Sequence, residues 1–323
     1  MKIRIITIFF VSLLFTQCNK KEHECITLEP IPRVYTNGHE LEAVFPYPFY
    51  PYFNPNNSDE IIFVNYTEEF TGFNRDTVHE LVKFNLKTKE SEVVVRKYFG
   101  SKARWGKNDW IVFDSHDDDG FNVFKVKSNG EGLTNISKNL GVRCFDPQWD
   151  YKEENLMFSL YYHEGRYMYH PYVLTDPIDH HIIDTLESGG NEASSWSHPK
   201  YMVSTELKGL VLSNPYDKEE EEYLYEYEKQ GQGVDWLDEE RVIWCHESGV
   251  YVTNIITKET KMIKETCNAD FLRMPTYAPD INRVIFQRQQ HERFREDRYE
   301  GIVTKSLYMM KPNGKKGETL EVY

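Results

Sequence analysis

The sequence predicts an all-β protein, a six-bladed β-propeller whose blades are four-stranded sheets. Three observations carry that expectation. An aromatic anchor recurs six times, at Phe53, Trp105, Trp149, Trp196, Trp236 and Tyr277. The anchors lie about 40 to 52 residues apart, the range in which repeats form propeller blades. Four of the 6 tryptophans occupy this one repeat position. Each anchor then leads through turn-forming residues into an apolar run of strand type. Trp196-Ser197-His198-Pro199 precedes Tyr201-Met202-Val203, Trp236-Leu237-Asp238-Glu239 precedes Val242-Ile243-Trp244, and Tyr277-Ala278-Pro279-Asp280 precedes Val284-Ile285-Phe286. Finally, short strands and frequent turn signals run the length of the chain without a long 3.6-residue periodicity, which argues against helices.

Within each repeat a second strand of alternating pattern follows the buried run. These strands are Glu80-Leu81-Val82-Lys83-Phe84, Asn122-Val123-Phe124-Lys125-Val126, Tyr169-His170-Pro171-Tyr172-Val173-Leu174, Gly209-Leu210-Val211-Leu212, Gly249-Val250-Tyr251-Val252 and Ser306-Leu307-Tyr308-Met309-Met310. A weaker third strand comes after them. Asn129-Gly130, Asn313-Gly314 and Asp119-Gly120 supply residues that take positive φ, and Asn-Gly suits a two-residue hairpin turn. A single sheet of this kind leaves one face and its edges open. Closing six sheets around an axis covers both faces, which fits strands that are apolar on both sides, such as Trp110-Ile111-Val112-Phe113. The anchors are expected near the innermost strands, wedged between neighbouring sheets.

The first 17 residues read as a signal peptide. Lys2 and Arg4 precede an apolar core, Ile5 to Phe15, of signal-sequence length and too short to span a bilayer. Cys18 follows at once and leads into Asn19-Lys20-Lys21-Glu22. The arrangement resembles a bacterial lipoprotein signal, which implies lipidation of Cys18; Gln17 and Phe15 depart from the usual pattern. Asn19 replaces the aspartate that retains such proteins at the inner membrane, so the resemblance implies an outer-membrane anchor facing the periplasm or the cell surface. Residues 18–44, punctuated by Pro30 and Pro32, read as a tether, and Pro46, Pro48 and Pro51 extend the expected coil to the first anchor. Residues 45–323 read as the propeller.

Composition narrows the partners. The net charge of −14 falls to about −16 once Lys2 and Arg4 leave with the signal, which repels a phosphate backbone. No basic stripe occurs, and nucleic acid is excluded as a partner. Aromatic residues make up 15% of the chain and fit the wedge-shaped spaces between blades. Cys25, Cys144, Cys245 and Cys267 have no metal-site spacing; of the three possible pairings, Cys245 with Cys267 places neighbours together.

The segments Trp196-Ser197-His198-Pro199, Tyr277-Ala278-Pro279-Asp280-Ile281-Asn282-Arg283-Val284-Ile285-Phe286 and Leu307-Tyr308-Met309-Met310-Lys311-Pro312-Asn313-Gly314 resemble the repeat of TolB-type propellers. The resemblance covers residues 45 to 323 and implies the fold. TolB carries an α/β domain before its propeller, and the Pro-punctuated stretch before Phe53 does not match one. A function carried by fold alone is weakly specified.

The search for chemistry yields few candidates. No His-Glu pair has a second histidine four residues on. Asp117-Asp118-Asp119-Gly120 fails as an EF-hand loop because Val126 would stand at its twelfth position; it reads as a solvated hairpin turn. No Gly-x-Ser-x-Gly elbow or phosphate-binding glycine loop occurs, and no peptidase domain is expected beyond the sixth blade. Glu219-Glu220-Glu221-Glu222 reads as a charged edge that discourages aggregation. His116, His163, His246 and His291 each follow a buried run, where a resemblance to propeller-fold oligogalacturonate lyases implies a metal or sugar-acid site. Their hairpins stand roughly 5–10 Å outward of the innermost strand, too far to close around one ion with bonds of about 2 Å. The expectation is therefore no metal, no cofactor and no enzyme. The chain reads as an envelope lipoprotein that binds or scaffolds a protein partner, with a glycan-binding or lyase-like protein as the alternative.

Overall fold

The computed structural model describes residues 47–322 apart from 72–73, 97–101, 118–119, 165–166, 170, 187–193, 229–230, 267–269, 296–297 and 321. The signal peptide, Cys18, the tether and Cys25 lie outside the described residues, as does Cys267. Six antiparallel sheets follow one another in chain order. The first blade is β1 (Tyr47–Phe53), β2 (Glu60–Thr71), β3 (Asn74–Asn85) and β4 (Ser91–Arg96). The second is β5 (Ala103–Trp105), β6 (Trp110–Asp117), β7 (Gly120–Lys127) and β8 (Thr134–Asn135). The third is β9 (Arg143–Trp149), β10 (Leu156–Glu164), β11 (Tyr167–Tyr169), β12 (Tyr172–Thr175) and β13 (Ile182–Leu186). Its β11 and β12 are two pieces of one strand position, both paired with β10. Pro171, which cannot donate to a ladder, lies at the break. The fourth is β14 (Ser194–Ser195), β15 (Met202–Thr205), β16 (Gly209–Asn214) and β17 (Asp217–Glu226). The fifth is β18 (Val234–Trp236), β19 (Arg241–His246), β20 (Gly249–Asn254) and β21 (Thr260–Glu265). The sixth is β22 (Asp270–Ala278), β23 (Arg283–Arg295), β24 (Arg298–Met310) and β25 (Glu318–Leu320). The all-β, six-bladed, four-stranded expectation holds, and a single 3₁₀ turn at Lys138–Leu140 is the only helix among the described residues.

The core is divided into six clusters, one per seam between blades. Trp105 packs with Ile62, Leu81 and Val95 of the first blade. Trp149 packs with Val112 and Val123 of the second, and Trp196 with Met157, Tyr172 and Leu174 of the third. Trp236 packs with Val203, Leu210 and Leu212 of the fourth, Tyr277 with Ile243, Cys245 and Val250 of the fifth, and Phe53 with Ile285, Leu307 and Met309 of the sixth. Every anchor therefore wedges against the blade that precedes it. Strand alternation serves two seams at once: Ile61 and Phe63 face the sixth blade, and Ile62 faces the second.

The innermost strand of each blade ends at its anchor, and this is where sequence and structure part. Pro48 and Pro51 stand within β1 and do not mark coil. An innermost strand has one edge turned to the axis, so a proline whose nitrogen faces that edge removes no ladder bond. Three innermost strands share a bulge with a positive-φ residue followed by proline: Tyr50-Pro51, Asp146-Pro147 and Met274-Pro275, with φ of 48, 55 and 48°. The Asn-Gly hairpins differ too. In these two turns Gly130 and Gly314 take positive φ and the asparagines before them do not, and the bonds Gly130 N–Lys127 O and Lys127 N–Glu131 O close a three-residue loop with a glycine bulge. Lys311 and Lys315 repeat it. Cys144 and Cys245 are buried free thiols; Cys267, the partner expected for Cys245, lies outside the described residues. Burial raises the Cys144 pKa to about 11, with a Ser137 hydrogen bond opposing.

Among the described residues no strand is exchanged between the first and last blades. Their seam is held by the Phe53 cluster, by Thr276 Oγ1 donating to Pro51 O at 2.9 Å, by Ser58 Oγ donating to Asp280, and by Ser91 Oγ donating to Val322 O at 3.4 Å.

Candidate functional site

The residue before each anchor is polar or carries a hydroxyl: Tyr52, Arg104, Gln148, Ser195, Asp235 and Thr276. Closure brings these six positions around the axis, where most of them reach the following blade. The Arg104 guanidinium lies 4.8 Å from the Tyr52 ring centroid. Gln148 Nε2 donates to Ser194 Oγ at 3.1 Å, and Ser195 Oγ donates to Asp235 Oδ1 at 2.8 Å. Asp235 Oδ2 accepts from Tyr277 N at 2.8 Å, and Thr276 completes the circuit at Pro51. Arg104 and Asp235 belong to blades on opposite sides of the axis. Burial lowers the Arg104 pKa, with Tyr52, Asp235 and Asp146 opposing. Burial likewise raises the Asp235 carboxyl and the Tyr52 hydroxyl. No sequence motif marks this ring, because its six members differ in chemistry. The available signal is positional, one residue before each aromatic anchor.

Beyond the ring, the turns that follow the anchors form the mouth of the channel. A cavity of about 610 Å³ is lined by Tyr52 to Asn54 and Ser58 of the first blade, Lys107 of the second and Glu153 of the third. Ser197 and His198 of the fourth, Asp235 to Glu239 of the fifth and Thr276 to Asp280 of the sixth complete it. All six blades contribute. The rim is laced together: Asn56 Nδ2 donates to Lys107 O at 2.9 Å, Lys107 N to Glu153 Oε2 at 2.5 Å, and Trp236 Nε1 to Ser195 O at 3.1 Å. His198 stacks on Trp236 with ring centroids 4.8 Å apart, and burial lowers its pKa against the pull of Glu239.

The four histidines singled out by position lie elsewhere. His116 stands on β6 and His246 on β19, near the opposite ends of the blades. His116 meets the edge of Phe121 at 5.1 Å, and His246 stacks on Tyr227 at 4.4 Å. Each is engaged in an aromatic contact of its own. The backbones of His163 and His291 occupy β10 and β23; their side chains lie outside the described residues. Among the described residues, the three-residue group with metal-ligand spacing is Asp176, Asp179 and His181, which includes none of the four. It lies on the turn between β12 and β13, where Asp176 Oδ1 accepts from the Ile178 and Asp179 amides. Asn85 and Asn254 cap the matching turns of the first and fifth blades in the same way. The shared Asn-x-x-Thr-Lys-Glu at 85–90 and 254–259 was the readable signal for these turns.

The sequence matches no family model, and no curated protein matches it. Solved structures do. The tricorn protease aligns with a TM-score of 0.56 at 11% identity over 86% of this chain and 26% of its own. The propeller domain of the trilobed protease from Pyrococcus furiosus, which has an open velcro topology, aligns at 0.53 and 11% identity over 86% of this chain and 98% of its own. A putative TolB from Agrobacterium tumefaciens aligns at 0.51 and 13% identity over 74% and 86%. The fold is that of a TolB-like six-bladed propeller. The chain spans between 26% and 52% of the peptidases among its neighbours, and at these identities the likeness concerns the fold.

Proposed function

We propose that this protein is an envelope lipoprotein whose propeller binds a protein partner at the axial mouth. The observation that carries the reading is the cavity to which all six blades contribute. At about 610 Å³ it lies within the usual range of ligand sites, and its polar ring and aromatic walls offer both hydrogen bonds and apolar contact. The rim is braced between neighbouring turns, so binding there loses little order. The TolB-like architecture is compatible with a binding module of the cell envelope, and Cys18 supplies the membrane attachment through its lipid.

Co-purification from detergent-solubilised envelope tests the binding half. The tagged protein should retain a stoichiometric partner that Glu239→Lys loses; a partner retained equally by both would place binding elsewhere. Fractionation tests the anchor. Cys18→Ser should release the mature protein from membranes or stop its processing, and an unchanged, normally processed membrane fraction would contradict lipidation. The multiple acyl chains of a mature lipoprotein matter here, since one chain binds only marginally.

A further inference from the structure

The chemistry of the mouth identifies what enters it. Five carboxylates, Glu153, Asp235, Asp238, Glu239 and Asp280, line the cavity against one lysine, Lys107. Two of the five are already matched. Glu153 pairs with Lys107 at 3.1 Å, and Asp238 pairs with Arg241 at 2.5 Å. Asp280 accepts from Ser58, and Asp235 accepts from Ser195 and the Tyr277 amide. Asp235 is further drawn to the Arg104 guanidinium, and no described basic side chain forms an ion pair with Glu239 or Asp280. Glu239 and Asp280 line a cavity whose walls also carry Tyr277 and His198, the faces of Tyr52 and Trp236 being covered by Arg104 and His198.

Carboxylates beside aromatic faces are the pattern that holds an ammonium or guanidinium group. The aromatic quadrupole attracts the cation, the carboxylates accept its hydrogen bonds, and partial exclusion of water strengthens both. The protein already uses this pattern at the ring, where the Arg104 guanidinium lies over Tyr52. Arg104 also sets a limit. Its positive charge repels a second cation from the ring, so an entering cation rests outward of it, in the mouth beside Glu239 and Asp280. The volume of about 610 Å³ exceeds the space one side chain needs, leaving room for the backbone that carries it.

We infer that the mouth captures a basic side chain, arginine or lysine, projecting from an extended segment of the partner protein. This rests on the mouth being the binding site and adds the charge of what it binds.

The test is fluorescence anisotropy with the purified protein and three fluorescein-labelled Gly-Ser nonapeptides. Their central pair is Arg-Arg, Glu-Glu or Ser-Ser. The Arg-Arg peptide should bind and the other two should not. Glu239→Lys, at an exposed rim position, should weaken its binding at least ten-fold without disturbing the fold, and Asp280→Asn should weaken it as well. His116→Ala, on the other end of the blades, should leave it unchanged. Spermidine presents ammonium groups without a peptide backbone and should bind more weakly. Tighter binding of spermidine would assign the site to free polyamines and overturn the inference. Equal binding of the three peptides, or Arg-Arg binding indifferent to Glu239→Lys, would overturn it too. If peptides of either charge fail while the native partner is still lost from Glu239→Lys, the charge assignment falls and the mouth as a binding site stands.

Discussion

The two ends of the blades are built on different principles. At the mouth, short turns from six blades meet around the axis, and hydrogen bonds tie one turn to the next. At the other end, the hairpins rise from the middle strands, away from the axis, and are unequal. β23 and β24 run for 13 residues each, whereas β19 and β20 run for 6. The difference teaches that convergence, more than residue type, makes a site. On the hairpin side, His116 and His246 each stay within an aromatic contact of their own. On the mouth side, unremarkable serines, threonines and aspartates are brought into one cavity by closure.

The seams between blades set the scale for any test of this contrast. Trp105→Ala and Trp236→Ala remove anchors that are 1% and 6% exposed and should each cost about 3–5 kcal/mol, read by urea denaturation. Wild-type stability in both variants would mean the anchors are not wedges. Arg288→Met sharpens the comparison in the sixth blade. The Arg288–Asp270 pair is fully buried, with Nη2 2.7 Å from Oδ2. Breaking it strands a carboxylate and should also cost about 3–5 kcal/mol.

A smaller effect is expected at the ring. Thr276→Val leaves Pro51 O without its donor across the closing seam and should cost about 1–3 kcal/mol. A variant as stable as wild type would mean that the ring does not help to close the propeller. His116→Ala on the hairpin side should change stability by no more than about 0.5 kcal/mol.

Asp235 gives the gentlest probe, through pH. Burial raises its folded pKa above the unfolded value, so as pH rises the unfolded chain loses this proton first. The stability of wild type relative to Asp235→Asn should therefore decline as pH rises from the ordinary aspartate range through the raised pKa, then level off. A difference that is flat with pH would mean Asp235 is not held in a desolvated ring.

Much of the fold was legible because its signal is local. A large aromatic followed by a turn and an apolar run must be buried twice over, and Trp105, Trp149, Trp196 and Trp236 are. The innermost strands were harder to read. Two to nine residues long, they carry prolines that signal coil elsewhere, and only the free axial edge makes Pro48 and Pro51 compatible with a strand. The mouth was not legible at all. Glu153 and Glu239 lie 86 positions apart by subtraction, and nothing in either local sequence connects them. Their proximity to one cavity is a property of the closed ring. His116 and His246 were the opposite case, easy to find by spacing and held in separate aromatic contacts.

Glu239 and Glu247 stand at the two ends of β19, both exposed, one on the rim and one on the hairpin side. A photo-crosslinking amino acid placed at either position, with irradiation in the native envelope, compares the two ends within one blade. A discrete partner adduct is expected from position 239 and none from position 247. An adduct from position 247 alone would contradict it and move the binding surface to the hairpins.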